Sequence, residues 1–82
     1  MKLFVTHYAS VIVIKARIGT YGTTRLTVEI NGKPFAEGET SNRGLKAWVE
    51  SHVLSAKARI DSDRAEALPA SDVLYELGFR DK

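Results

Sequence analysis

The sequence predicts an α+β fold: an antiparallel three- to four-stranded meander sheet, one long helix packed on one of its faces, and a short C-terminal helix. Three observations predict it. Thr24 to Ile30 alternates, with Leu26, Val28 and Ile30 on one side and Arg25, Thr27 and Glu29 on the other. That is the period of a half-buried strand. Asn31-Gly32 follows. Both residues accept positive φ and suit a two-residue type I′ turn into a returning strand. Further on, Leu45, Trp48, Val49, His52, Val53, Ala56 and Ile60 recur at the spacing of an amphipathic helix.

Length and composition set the outer limits. Eighty-two residues suit one domain, residues 1–82. A chain of this size buries roughly 60% of its unfolded surface, enough for one modest core. It has no cysteine, so neither disulfides nor thiolate metal sites hold it together. No apolar run reaches the ~20 residues of a membrane span, and the N-terminus lacks the apolar segment and cleavage site of a signal peptide. A cytoplasmic protein without a membrane partner is the expectation. Twelve basic against ten acidic residues give a net charge of +2. That balance does not announce a nucleic-acid binder, and it excludes an acidic DNA mimic.

In chain order, Lys2 to Tyr8 is rich in strand-forming residues, and Val11 to Ile18 is a stronger strand. Between them Ala9-Ser10 reads either as a tight corner or as a bulge in one long strand. Gly19 to Thr23 turns the chain. Pairing Ile18 with Thr24, Ala16 with Leu26, Ile14 with Val28 and Ile12 with Ile30 keeps every apolar residue on one face. It implies a three-residue turn, Thr20-Tyr21-Gly22, with Gly22 left-handed. After Asn31-Gly32, Ile30 meets Lys33 and Val28 meets Phe35. Pro34 falls opposite Glu29 in a pair that exchanges no hydrogen bonds, which makes Lys33 to Gly38 an edge strand.

The helix is expected to start at Ser41, with its hydroxyl as the cap, and to carry Gly44 at a cost of up to ~1 kcal/mol relative to alanine. Asp61-Ser62-Asp63 is expected to break and recap it, leaving a helical turn from Arg64 to Leu68 before Pro69. Ser71 is expected to cap a last helix, Asp72 to Leu77. Gly78 then takes a left-handed C-terminal position, with Phe79 folded back on Leu74 and the final Arg80-Asp81-Lys82 frayed.

No residue is nominated for catalysis, metal or cofactor binding. Two histidines and no cysteine make a poor ligand set. His52 on the apolar stripe reads as a core-edge residue, and Asp61 and Asp63 as caps. The Ser, His and Asp residues are held by no nucleophile motif. The glycines sit in hairpin turns, outside any phosphate loop. The outward sheet face says more. The register sets Arg17 opposite Arg25, with Lys15 beside Thr27, and like charges directly opposite are unfavourable unless something acidic visits. Val11, Val13 and Tyr21 lie near. Lys15, Arg17, Tyr21, Arg25 and Lys33 are the candidate partner-binding residues. The last helix, with Val73, Leu74, Tyr75, Leu77 and Phe79, offers a dimer contact, so a monomer or weak homodimer is expected.

Two resemblances add to this reading. Met1-Lys2, Asn31-Gly32-Lys33, Ser41, and Leu45 with Trp48 three residues on stand in the order found in small phage anti-CRISPR proteins. That resemblance implies a non-catalytic phage or mobile-element protein. Such a protein binds a host CRISPR effector or nucleoprotein complex and blocks its access to target DNA. The stretch Thr24 to Glu50 also resembles the arm-type DNA-binding domain of phage integrases, with a strand, a Gly-basic turn, a second strand, and a Trp-bearing helix. This second resemblance implies that Lys15, Arg17, Arg25 and Thr27 contact duplex DNA in the major groove. The chain departs from it in its low net charge and in Glu29 on the reading face.

Overall fold

Alternating apolar residues build four antiparallel strands: β1 (Lys2–His7), β2 (Ser10–Ile18), β3 (Thr23–Ile30) and β4 (Lys33–Ser41). They pair in simple sequence order, β1-β2-β3-β4. Two helices follow, α1 (Asn42–Ala67) and α2 (Ala70–Glu76). The computed structural model describes residues 1–80; of the expected frayed end, Asp81 and Lys82 lie outside the described residues.

The β2–β3 register is the one that apolar parity demands. Ile12 meets Ile30, Ile14 meets Val28, Ala16 meets Leu26 and Ile18 meets Thr24. The Gly19 N–H donates to the Thr23 carbonyl at 2.7 Å, closing the Thr20-Tyr21-Gly22 turn, and Gly22 has φ +72°. Asn31 and Gly32 have φ +51° and +80°, as a type I′ turn requires.

The β1–β2 connection is a tight corner, with His7 opposite Ser10 across Tyr8-Ala9. Tyr8 takes φ +56°, an unfavourable conformation for a bulky residue. Two ring contacts accompany it: the Arg64 guanidinium of α1 sits 4.2 Å from its ring centroid, and the ring of its neighbour His7 meets it edge-on at 4.8 Å.

β4 corrects the expected register. A bulge at Phe35 makes Val28 pair with Ala36, although Glu29 still meets Pro34 and Ile30 meets Lys33. The physical reason lies further along the strand. Without the bulge, Glu37 and Glu39 would point into the helix-covered face. With it, they lie opposite Thr27 and Arg25 on the outer face. Phe35 still packs against the core. The strand continues through Ser41, beyond its expected end at Gly38.

α1 covers the inner face. Ile12, Ile14, Leu26 and Val28 of the sheet are buried against Ala56 and Ile60 of the helix, with Leu45, Trp48, Val49 and Val53 packed around them. The Trp48 ring lies on Gly38, where a Cβ would come within 3.0 Å of the indole nitrogen. His52 is half-buried, stacks on Trp48 at 3.7 Å, and donates from Nδ1 to the Trp48 carbonyl at 2.8 Å. It is a packing residue at the core edge.

Three expectations about the helices fail. Ser41 holds the N-cap position without a side-chain cap bond. Asp61-Ser62-Asp63 does not interrupt α1, which runs through to Ala67. Both carboxylates have partners that suit a continuing helix: Asp61 accepts from His7 Nε2 at 2.8 Å, and Asp63 pairs with Arg59 one turn earlier at 3.3 Å. α2 starts at Ala70 behind Pro69, with no side-chain cap from Ser71. Its end follows expectation. Gly78 has φ +105°, the Gly78 N–H donates to the Tyr75 carbonyl at 3.1 Å, and the Phe79 N–H donates to the Leu74 carbonyl at 3.0 Å. Those two bonds define a Schellman motif.

At 26 residues, α1 is about 39 Å long and overhangs the sheet. The radius of gyration is 16.2 Å and the molecule measures 60 × 23 × 15 Å, against roughly 12 Å expected for a compact chain of this length. Arg64 near the end of α1 holds α2 against it, donating to both Glu76 carboxylate oxygens at 2.8 and 2.7 Å. α2 buries no residue.

Candidate functional site

One helix covers one face of the sheet, so the other stays open. Strand pairing arranges that open face in rows. Near the Tyr8-Ala9 and Asn31-Gly32 turns lie Thr6 and Val11. Next come Phe4, Val13, Glu29 and Pro34, then Lys2, Lys15, Thr27 and Glu37. Arg17, Arg25 and Glu39 form the last row. One end is therefore apolar and the other charged. Phe4 is 65% exposed, large for an aromatic with no assigned role.

Of the five sequence candidates, the structure brings four to this region. Arg17 lies opposite Arg25, and Lys15 opposite Thr27. Tyr21, in the turn just beyond Arg17 and Arg25, is 92% exposed. Lys33 does not join them. It pairs with Ile30, which puts it at the far end of β3 and on the helix side of the sheet.

The carboxylates reached by β4 change the electrostatics. Lys15 Nζ contacts Glu29 at 2.8 Å, and Arg25 lies 3.8 Å from Glu37, with Glu39 its direct neighbour across the strands. Arg17 forms no ion pair among the described residues. The face is thus a mixed surface of four cations (Lys2, Lys15, Arg17, Arg25) against three carboxylates (Glu29, Glu37, Glu39). With Glu37 3.8 Å from Arg25, the Arg17–Arg25 pair has a carboxylate beside it and does not depend on a visiting anion. Sequence reasoning missed Phe4, Glu37 and Glu39. The signal was present for the last two: an unbulged β4 would drive both glutamates into the core.

At the β4 bulge, a depression of about 540 Å³ is lined by Thr27, Glu29, Pro34, Phe35 and Glu37, among others. Among the described residues no three His, Asp or Glu side chains gather in a group able to hold a metal ion, and no helix is long and apolar enough to cross a membrane.

The fold and face define a four-stranded meander with a single helical cover and an open, mixed-charge sheet surface. No family model matches this chain, and no curated protein or solved structure matches it either.

Proposed function

We propose that the protein acts by binding another protein through the open sheet face, without turnover, as a phage-type inhibitor of a host CRISPR effector complex in the host cytoplasm. Inhibition is steric: the bound chain blocks the effector's access to target DNA. The observation that carries the binding reading is the open face itself, where exposed Phe4 and half-covered Val13 adjoin a charged row with both signs present. Interfaces between proteins combine apolar anchors with a polar, charge-complementary rim. The CRISPR assignment rests on the resemblance carried by Met1-Lys2, Asn31-Gly32-Lys33, Ser41, Leu45 and Trp48. Arg17, Arg25, Lys15 and Tyr21 are the contacts proposed, joined by Phe4.

The rival reading, a sheet-face DNA binder of the integrase arm type, is favoured by Arg17 and Arg25 side by side. It is opposed by the pairing of Lys15 with Glu29 and of Arg25 with Glu37, which leaves little net positive charge for phosphates. Binding of purified type I and type II effector complexes, measured with and without target duplex, tests the first reading. Saturable binding that excludes duplex is expected, and no binding to either type overturns it. Titration of duplex DNA alone at low salt tests the second. A DNA binder loses affinity steeply as salt rises, whereas the proposed protein shows no shift at any salt.

A further inference from the structure

The two edges of the sheet are built differently. β4 is guarded: Pro34 lacks an N–H, the bulge at Phe35 twists the strand, and Glu37 and Glu39 are charged. Such devices keep an edge from pairing with another chain. β1, sequence Lys-Leu-Phe-Val-Thr-His, has no proline, no bulge and one lysine at its start.

Its free hydrogen-bonding groups can be assigned. Met1 and Ala16 exchange both backbone bonds, at 2.8 and 3.1 Å. Bonded and non-bonded pairs alternate along an antiparallel ladder. Leu3, Val5 and His7 therefore bond to β2 through Ile14, Ile12 and Ser10, and Lys2, Phe4 and Thr6 turn their N–H and C=O groups to the free edge.

We propose that β1 is a self-association edge, on which a second copy of this chain pairs antiparallel about a two-fold axis through Phe4. Lys2, Phe4 and Thr6 are symmetric about Phe4, so each outward N–H and C=O finds a partner. Phe4 meets Phe4 of the second copy, and Lys2 meets Thr6. Leu3 meets Val5 in the closely spaced, non-bonded pair on the helix side. No like charges meet across the axis. A shift by one residue would mix the two faces. A shift by two in one direction would oppose Leu3 to His7 and leave Lys2 without a strand partner, and in the other it would leave Thr6 without one. The register that uses every free group is thus also the one that covers Leu3 and Phe4, which are 45% and 65% exposed in the single chain. The backbone groups alone would admit any extended strand; the second copy is favoured by its side chains, which set Leu3 on Val5 and Phe4 on Phe4 and keep the two Lys2 residues apart. Both helices lie on one side of the joined sheet, and the two open faces become continuous. So short a contact falls below the roughly 1,200–2,000 Å² of a standard stable interface, so the dimer forms only at high concentration.

Amide hydrogen exchange on the unmodified chain, at low-micromolar and at millimolar protein, tests this. At low concentration Leu3, Val5 and His7 are protected, and Lys2, Phe4 and Thr6 exchange freely. At high concentration the second set gains about tenfold protection while the sedimenting mass rises. Phe4→Pro removes an outward N–H without touching the β1–β2 ladder and holds the chain monomeric at every concentration. If that variant fails to fold, Phe4→Lys places like charges face to face on the axis and gives the same result. Unchanged exchange at Lys2, Phe4 and Thr6, a dimer that persists in these variants, or protection appearing instead at Leu74, Tyr75 and Leu77 overturns the proposal.

Discussion

The two faces of one sheet come from the same strands in alternation, yet they obey different rules. On the inner face, Ile12, Ile14, Leu26 and Val28 are buried under α1, and each side chain's shape is fixed by its neighbours. On the outer face, Arg17, Arg25, Lys15 and Glu37 sit in water, and the Lys15–Glu29 and Arg25–Glu37 ion pairs contribute little, about 0–1 kcal/mol each. Substitution inside should therefore change stability and leave recognition alone. Substitution outside should do the reverse.

The largest expected effect is at Leu26, which is 1% exposed. Leu26→Ala should cost about 3–4 kcal/mol, read as a lowered midpoint in urea with an unchanged slope. Trp48 is only half-buried, so Trp48→Ala should cost about 2–3 kcal/mol, below the ~3–5 usual for a fully buried ring. An unchanged melting temperature would place the indole off the core. Gly38→Ala should cost about 1–2 kcal/mol through overpacking, because the new methyl meets Trp48 at 3.0 Å. The loss should largely vanish in a Trp48→Ala background, which a double-mutant cycle measures. Outside, Lys15→Ala should change stability by less than about 1 kcal/mol, and high salt should erase even that difference.

The same contrast explains what could be read from the sequence. Apolar parity is a strong signal wherever one face is buried, so the β2–β3 register, the Gly22 turn and the stripe from Leu45 to Ile60 could be read directly. The Gly78 cap was equally plain, because few residues take its φ. The missed features depend on long-range contacts or on bookkeeping carried too short a distance. Tyr8 takes its positive φ with the Arg64 guanidinium, 56 residues further on, stacked over its ring, and no neighbouring residue announces that contact. Asp61 and Asp63 look like caps, but they sit in mid-helix with partners on β1 and one turn back. The Phe35 bulge was legible in principle from Glu37 and Glu39. Ending the strand at Gly38 hid their placement, and with it the carboxylates that balance the candidate face. The turn register already pairs Lys33 with Ile30, so its place on the helix side of the sheet is legible in the sequence, and the structure keeps it off that face.

Arg17 separates the two faces most cleanly, since it is exposed, has no ion-pair partner among the described residues and lies outside the core. The most direct test measures Arg17→Glu twice, by thermal melting and by affinity for a purified CRISPR effector complex. Stability within about 0.5 kcal/mol of the parent chain, together with at least a tenfold loss of affinity, is the predicted result. An unchanged affinity with the fold intact would contradict the assignment of the open face as the binding surface.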